Sequence, residues 1–314
     1  MCLLEVSDLK VVFPETVAVR DVSFCLKKGE KLGLLGESGC GKSVLSLALL
    51  NIVLGDGKIL NGSVKFKGEN IFSFSKERLR KLRGGEIGYI FQEPQSAFDP
   101  VFKIGNQISE TLLSHGIVKS KKEAREKAVE YLKMVKIDNA DFVYESYPFE
   151  LSGGMAQRVY IALMLMLNPE ILIADEPTTA LDVITQKEIV KLIKKIVEEK
   201  NLSLIFITHN LLLLKNLVDN VMVMYAGSVV EYGNLDEIFE NPLHPYTEGL
   251  LESIVLKAGK KEYLKAIPGN VPHKVKEENK CPFFDRCEKR KEICEKKYPQ
   301  LKEVDGRMVR CHLY

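Results

Sequence analysis

The sequence predicts an α/β fold built around a largely parallel sheet, and three observations support this. A strand-like apolar segment at residues 31–35 runs into a glycine-rich turn and then into an apolar helical segment at residues 43–50. Two further apolar runs, at residues 171–174 and 204–207, have the continuity of buried parallel strands. Residues 185–200 would join those strands as a crossover helix.

Composition places the chain among ordinary globular proteins. Its 314 residues leave room for a large α/β domain and an appendage, and hydrophobic residues make up 46%. The longest apolar stretch, residues 159–167, is well short of the roughly 20 residues of a membrane-spanning helix, so a membrane role would need a partner. The acidic amino-terminal residues predict a first strand of a cytosolic protein rather than a secretory signal. A net charge of +2 argues against nucleic acid as a partner.

The remaining elements follow in chain order. Residues 1–35 alternate between apolar runs and turn signals, which predicts strands that lead into the glycine-rich turn. From about residue 76 to 168 the pattern is helical and charged, and predicts a helical insertion. Residues 221–225 and 228–232 flank Ala226 and Gly227 as a hairpin. Prolines and charged runs after Asn241 predict a linker to a small appendage, so the predicted domains are residues 1–240 and 241–314.

The glycine-rich turn fits the phosphate-binding pattern G-x-x-x-x-G-K-[ST], in the strand-to-helix context that the pattern requires. Glycines allow backbone N–H groups to curl around a phosphate, and the following helix amino terminus adds partial positive charge. Lys42 would reach the β- and γ-phosphates of a nucleotide, and Ser43 would bind Mg²⁺. The predicted phosphate-binding residues are Gly36, Ser38, Gly39, Cys40, Gly41, Lys42, Ser43 and Val44.

An apolar run that ends in two carboxylates supplies the second motif. Asp175 and Glu176 follow residues 171–174, at the carboxyl end of a predicted strand, where α/β sheets bind ligands. Asp175 would hold Mg²⁺ through water, and Glu176 would orient and polarise the attacking water. Two acids after a strand are weak evidence alone, but beside a phosphate-binding loop they indicate nucleotide hydrolysis.

A second anion cradle comes about 110 residues after the first. A serine and two glycines precede a predicted helix, so backbone N–H groups and a capping hydroxyl would meet at its amino terminus. This segment resembles the signature loop of ABC ATPases, and with it the whole motif order resembles that family. The predicted signature residues are Leu151, Ser152, Gly153, Gly154 and Met155.

The resemblance to ABC ATPases implies a RecA-like P-loop NTPase core with an antiparallel β subdomain and a helical subdomain at about residues 93–170. It also implies that two ATPase domains pair head to tail, so that each ATP lies between one P-loop and the partner's signature loop. Gln92 matches the Q-loop glutamine that touches Mg²⁺ and links to the transmembrane partner. Asp182 matches the D-loop, and His209 matches the switch histidine that contacts the γ-phosphate. Phe13 would stack on adenine, although its position also suits a core residue.

The carboxyl-terminal third resembles the ATPases of oligopeptide and dipeptide importers, a group that includes nickel importers. The resemblance rests on NPLHPYTEGLL at residues 241–251 and on residues 267–272 and 281–287. Within this group the chain resembles the D-type subunit of dipeptide importers. This resemblance implies an F-type ATPase partner, two transmembrane permeases and an extracytoplasmic substrate-binding protein. The chain would then lie at the cytoplasmic face of the membrane. Ala156 and Asn210 depart from this group, where arginine and aspartate are usual.

The seven cysteines are unevenly placed. Cys2 and Cys25 read as core residues, whereas four cysteines with spacing C-x₅-C-x₆-C-x₁₆-C lie in a short polar tail. Such a tail has little core, which suggests a metal site, and the spacing leaves Zn²⁺, an iron–sulfur cluster or no metal open. The resemblance implies a [4Fe-4S] cluster on Cys281, Cys287, Cys294 and Cys311.

Three functions fit these motifs to different degrees. A transport motor that hydrolyses ATP is favoured, with di- or oligopeptides as cargo and nickel as the alternative. A soluble ABC ATPase acting on DNA or the ribosome is disfavoured, because neither a second cassette nor a long coiled coil is visible. A redox-regulated binding module that uses ATP only as a switch is disfavoured by the intact Glu176 and His209.

Overall fold

The computed structural model describes residues 1–179, 181–255, 267–272, 274–275 and 279–314. Ala180 of the predicted D-loop and the charged run at 257–261 lie outside these residues, as does part of the run at 274–280. The chain divides into two compact units, the first made of Met1–Ser73 and Phe206–Tyr314 and the second of Phe74–Ile205. Within the described ranges, no helix is both long enough and apolar enough to cross a membrane.

The strands and helices agree closely with the order expected from the sequence. They are β1 (Cys2–Phe13), β2 (Thr16–Lys27), β3 (Lys31–Leu35), α1 (Lys42–Ala48), β4 (Lys58–Phe66), β5 (Glu69–Asn70), α2 (Lys76–Leu82), β6 (Ile87–Ile90), α3 (Ile104–Ser114), α4 (Lys121–Met134), α5 (Ala140–Glu145), α6 (Gly153–Met166), β7 (Ile171–Asp175), α7 (Val183–Glu199), β8 (Ser203–Thr208), β9 (Asn220–Tyr225), β10 (Ser228–Asn234), α8 (Leu235–Glu240), α9 (Pro245–Val255), α10 (Glu292–Lys296), β11 (Lys302–Val304) and β12 (Arg307–Val309).

The first unit contains a four-stranded antiparallel sheet in the order β2-β1-β4-β5, as the resemblance implied. The register places the start of β1 beside the end of β2, with Cys2 opposite Lys27 and Glu5 opposite Cys25. The two cysteines therefore meet, and they form a disulfide with their Cα atoms 5.5 Å apart. The interpretation of Cys2 and Cys25 as core residues was wrong, because the strand pairing that brings them together is not visible in their spacing.

The carboxyl-terminal region of the same unit extends a sheet. β9 runs parallel to β3, and β10 folds back on β9 as the predicted hairpin. β12 then pairs with the outer edge of β10, and β11 pairs with β12. Residues 245–255, part of the predicted linker, form α9. The division at residue 240 stays a prediction.

The second unit holds the predicted helical insertion. α4 packs against α3, α5 and α6, and its apolar stripe of Ala124, Ala128 and Leu132 is completely buried. The helical prediction for residues 76–168 was wrong at Ile87–Ile90, which form β6 parallel to β7. All four residues of β6 are buried, and so short an apolar run has no period that separates strand from helix.

Candidate nucleotide-binding and hydrolysis site

The predicted phosphate-binding loop lies in the first unit, between β3 and α1. Gly41 caps α1 with a φ of 104°, a conformation that favours glycine. A Cβ atom there would lie 2.1 Å from the carbonyl oxygen of Ala18. A Cβ atom on Gly36 would lie 2.4 Å from the carbonyl oxygen of Met224. The chain therefore accepts only glycine at both ends of the loop without moving its backbone.

Lys42 is nearly buried at 5% exposure, and its ammonium group is turned into the loop. Its Nζ donates to the carbonyl oxygens of Gly36 at 2.8 Å and Glu37 at 3.0 Å. Ser38, Gly39 and Ser43 are exposed on the same loop, where a phosphate could reach their backbone N–H groups. Burial raises the pKa of the Cys40 thiol, which makes it a packing group rather than a nucleophile.

Two other predicted site residues belong to the first unit. Phe13 ends β1 and is half-buried, with its ring against Gly57, where an added Cβ would lie 2.7 Å from Phe13 Cε1. His209 directly follows β8 and is exposed. Asn210 accepts a hydrogen bond from the backbone N–H of Leu212 and so starts the short helical turn beyond the histidine. The roles of Phe13 and His209 stay predictions.

The two carboxylates at the end of β7 lie in different surroundings. Asp175 is 5% exposed, and the hydroxyl of Tyr89 on β6 donates to its Oδ2 at 2.8 Å. Glu176 is half-buried, and Thr179 donates its hydroxyl to Glu176 Oε2 at 2.8 Å. Glu176 also has a φ of 44°, a left-handed conformation that costs a residue with a side chain about 1 kcal/mol. Such strain persists only where the surrounding structure holds the residue in place, and at a candidate catalytic residue it supports a functional role.

Gln92 lies two residues beyond the end of β6 and is exposed. β6 and β7 are parallel, with Ile90 opposite Ala174, so their carboxyl ends lie side by side. Gln92 follows β6 and Asp175 ends β7, which places both residues at this carboxyl-terminal edge. This is the edge at which α/β sheets bind ligands. The segment after Gln92 continues to the signature loop, because Gln95 Nε2 donates to the carbonyl oxygen of Leu151 at 3.2 Å.

The predicted signature loop starts α6. Ser152 caps this helix, with its Oγ accepting the backbone N–H of Met155 at 3.3 Å. Ser152 and Gly153 are exposed, while Leu151 is buried and anchors the loop. A Cβ atom on Gly154 would lie 2.9 Å from Thr185 Cγ2, so this glycine allows α7 to come close. The result is an exposed helix amino terminus suited to an anion.

Asp182, the predicted D-loop residue, caps α7. Its Oδ1 accepts the backbone N–H groups of Ile184 and Thr185, and its Oδ2 accepts the Thr185 hydroxyl at 2.6 Å. These hydrogen bonds, with the side chain of Thr185 foremost, lower the pKa of the Asp182 carboxyl. The residue is exposed and stays ionised at neutral pH.

The structure thus gathers the predicted residues into two groups. The first unit carries the phosphate-binding loop, Phe13 and His209, and the second carries Gln92, the signature loop, Asp175, Glu176 and Asp182. Sequence reasoning missed the polar residues that hold these groups in place. These residues are Tyr89, Gln95, Thr179, Tyr246 and Arg286. Thr179 lies only three residues from Glu176, but the other four contact partners at least 56 residues away in sequence, so spacing offered no signal for them.

The four carboxyl-terminal cysteines are close enough to influence one another. Burial raises the pKa of the Cys281 thiol to about 12, and the thiols of Cys294, Cys311 and Cys287 add to the rise. Burial likewise raises the pKa of Cys287 and Cys311. However, the described part of the chain contains no group of three or more His, Cys, Asp or Glu side chains arranged to hold a metal ion. The predicted metal-binding extension therefore has no support from the structure.

Comparison with known proteins shows the family to which the chain belongs. Residues 19–179 match the family model described as ABC transporter, and residues 230–294 match that of the oligopeptide/dipeptide transporter C-terminal region. The chain is 46% identical to the oligopeptide transport ATP-binding protein AppD of Bacillus subtilis, over 99% of this chain and 97% of that protein. It is 40% identical to the dipeptide transport ATP-binding protein DppD of Caldanaerobacter subterraneus, over 99% and 97%.

A solved structure shows the same cassette fold. It is the dimeric, post-hydrolysis ATP-binding cassette MJ0796 bound to ADP and Pi, with a TM-score of 0.65 and 27% identity over 74% of this chain and 98% of that one. The chain is a member of the ABC transporter ATP-binding proteins, in the branch that carries the oligopeptide/dipeptide transporter C-terminal region.

Proposed function

We propose that this chain is the ATP-hydrolysing subunit of an importer for di- or oligopeptides. One observation carries the proposal: a complete ABC ATPase region and the oligopeptide/dipeptide carboxyl-terminal region occur together in a chain that aligns with AppD over nearly its whole length. The relatives are named for oligopeptide and dipeptide transport. That shared class makes peptide the cargo to test first.

The chemistry is transfer of the γ-phosphoryl group of ATP to water. Lys42 leaves the carbonyl oxygens of Gly36 and Glu37 and donates to the phosphates, while exposed backbone N–H groups of the loop bind their oxygens. Glu176, oriented by Thr179, accepts a proton from the attacking water. His209 contacts the γ-phosphate, and Phe13 stacks on adenine.

Mg²⁺ fits the oxygen donors that the site offers. Ser43 is an exposed hydroxyl at the start of α1, and Asp175 is a carboxylate whose orientation is fixed by the Tyr89 hydroxyl. Hydroxyl and carboxylate oxygens are the ligands that Mg²⁺ takes beside nucleotide phosphates. When bound, the ion neutralises charge on the β- and γ-phosphate oxygens. Gln92 is the third residue assigned to it.

Each ATP site needs a second chain. The phosphate-binding loop and the signature loop are two separate anion cradles, each an exposed helix amino terminus. We assign the signature loop, with Asp182, to the ATP bound by a partner ATPase of the F type. Two permeases and an extracytoplasmic binding protein complete the complex, with this chain at the cytoplasmic face of the membrane.

Isolation of the native complex tests this assignment. The chain would be tagged at its chromosomal locus, purified from detergent-solubilised membranes, and its companions identified by mass spectrometry. We expect a second ATPase and two permeases, and ATP hydrolysis that rises when peptide and the binding protein are added in vesicles. Recovery on ribosomes or DNA, without permeases, would refute the transport assignment.

The cysteine site stays a separate proposal. Four mutually close thiols favour it, since thiolates are the donors that iron–sulfur clusters and Zn²⁺ prefer. The lack of a coordinating group in the described residues counts against it. Iron and zinc analysis of anaerobically purified protein, with its visible spectrum, decides between a [4Fe-4S] cluster, Zn²⁺ and neither. Absence of both metals would end the proposal.

A further inference from the structure

The first compact unit contains a contact between the phosphate-binding loop and the cysteine-rich segment. Arg286 donates from Nη1 to Glu37 Oε2 at 2.7 Å and from Nη2 to Glu37 Oε1 at 3.0 Å. Glu37 is the second residue of the loop, and Arg286 directly precedes Cys287. A paired contact of this kind fixes orientation as well as distance, because two parallel hydrogen bonds tie one planar group to another.

Arg286 is itself held in a fixed orientation. Its side chain is only 6% exposed, and its Nε donates to the carbonyl oxygen of Pro268 at 2.7 Å. Its guanidinium carbon also lies 5.6 Å from the ring centre of Tyr225. A guanidinium already held by a carbonyl oxygen and against an aromatic ring loses little further freedom when it binds a carboxylate, so it can act as a rigid support.

The backbone of Glu37 is held from two directions. Its N–H donates to the hydroxyl of Tyr246 at 2.9 Å, and its carbonyl oxygen accepts from Lys42 Nζ at 3.0 Å. Tyr246 is completely buried and packs against Tyr225 and Phe283, with ring centres 4.8 Å and 5.5 Å away. Glu37 is therefore fixed at its side chain, N–H and carbonyl oxygen, next to the lysine assigned to the phosphates.

The same carboxyl-terminal region also reaches the other end of the predicted nucleotide surface. Val275 accepts the backbone N–H of Val17 at 2.8 Å, and its own N–H donates to Thr16 Oγ1 at 2.9 Å. Thr16 begins β2, directly after the turn that follows Phe13. Contacts from this region therefore lie beside both the phosphate-binding loop and the residue assigned to adenine.

We propose that Arg286 and Tyr246 are positioning residues for ATP binding, which hold Glu37 so that the loop stays open to phosphate. Without them, Glu37 is free to rotate, and the second residue of the loop no longer has a fixed conformation. The loop must then be ordered by ATP itself, which weakens binding. This inference rests on the proposed role of residues 36–43 as the phosphate site.

The test compares Glu37→Gln, Arg286→Gln and Tyr246→Phe by titration with a fluorescent ATP analogue, in the full-length protein. Loss of the charge-assisted pair should raise Kd by about ten-fold in Glu37→Gln and in Arg286→Gln, and loss of the neutral hydrogen bond in Tyr246→Phe should raise it by about five-fold. The double variant Glu37→Gln/Arg286→Gln should bind no more weakly than the weaker single variant, because both changes break the same pair. Lys289→Ala is the matched control, since Lys289 pairs with Glu248 in the same region.

Two outcomes would overturn the inference. One is unchanged Kd in Glu37→Gln and Tyr246→Phe, and the other is additive weakening in the double variant. Thermal unfolding separates positioning from misfolding. Because Glu37 is half-exposed, the Tm of Glu37→Gln should equal that of the Lys289→Ala control. Lys42→Ala tests the site itself: retained ATP binding there would refute the phosphate assignment, whereas lost binding with a normal Glu37→Gln would refute only the positioning role.

Discussion

Glu176 combines a strained backbone with a side chain held by Thr179, which suits a carboxylate that must face one water molecule. In Glu176→Gln the size of the side chain and the contact to Thr179 are kept, but the proton acceptor is lost. We expect kcat for ATP hydrolysis to fall by at least about 100-fold with Kd for ATP unchanged. Phosphate release and analogue titration measure the two quantities. Turnover like that of the parent, or an equal loss in the surface control Glu188→Gln, would contradict the assignment.

Gly41 and Gly39 form a matched pair for testing the loop. Both have a positive φ, but an added Cβ would collide with Ala18 at Gly41 and would meet nothing within 4 Å at Gly39. Gly41→Ala should therefore abolish ATP binding, whereas Gly39→Ala should cost only backbone strain of about 1 kcal/mol. Analogue titration with thermal unfolding distinguishes the two. Equal effects at both positions would show that the collision with Ala18 is unimportant.

The candidate motif residues could be selected from the sequence because each motif is local: a glycine loop, a strand with two acids, a serine and two glycines before a helix. Their roles stay predictions. The partners of Glu37 could not be selected in this way. Tyr246 and Arg286 are 209 and 249 residues away from it in sequence. A buried tyrosine and an arginine carry no local signal that specifies such a contact.

Strands β1 and β2 are joined by the Cys2–Cys25 disulfide, which closes a loop with a sequence separation of 23. Closing a loop of this length stabilises a fold by about 3 kcal/mol, chiefly by restricting the unfolded chain. We expect a reducing agent to lower the urea midpoint of the parent protein. The double variant Cys2→Ser/Cys25→Ser should already unfold at the lower midpoint, and the reducing agent should not change its midpoint. A reduced parent as stable as the oxidised one would contradict this.

The start of α9 carries a buried histidine that should make the fold sensitive to acid. Burial lowers the pKa of His244 from 6.5 to about 3, and its Nδ1 accepts the backbone N–H of Tyr246. Between these two values the unfolded chain binds the proton and the folded chain does not, so stability falls as pH falls through this window. The slope from one such group reaches about 1.4 kcal/mol per pH unit.

Urea unfolding as a function of pH measures this slope. His244→Asn keeps a hydrogen-bond acceptor but removes the titrating ring, so stability should depend less on pH across the window. His312, which is only half-buried, provides the control in His312→Gln. An unchanged slope in His244→Asn, or the same change in the control, would refute the role of His244.

At the level of elements, long patterns were predicted and short ones were not. The stripe of α4 and the alternation of β1 cover many residues, and their types followed directly from the sequence. β6 has only four residues, all of them buried, and its nature depends on pairing with β7. β12 could not be predicted from the sequence either, because it forms by pairing with the outer edge of β10.

Hydrolysis by this chain should require a second ATPase, because in the proposed arrangement the ATP on this chain's phosphate-binding loop also needs the signature loop of the partner. Glu176→Gln with ATP should form a stable pair with the F-type partner, or with a second copy if none exists. Sedimentation should detect the pair with ATP and its loss with ADP. Gly153→Trp, which fills the exposed signature loop without the collision that a side chain at Gly154 would cause, should remain unpaired. Pairing that does not depend on nucleotide would contradict the model.

The placement of Glu37 and Arg286 also has a consequence for biosynthesis. The first unit is made of Met1–Ser73 and Phe206–Tyr314, so a ribosome finishes the phosphate-binding loop long before it makes the residues that brace it. A nascent chain that has passed Thr208 carries every ATPase motif, yet Tyr246 and Arg286 have still to be made. The contacts from Tyr246 and Arg286 to Glu37 therefore form only when translation is nearly complete, and a premature stop after residue 240 yields a chain with all of its predicted catalytic residues but without these contacts.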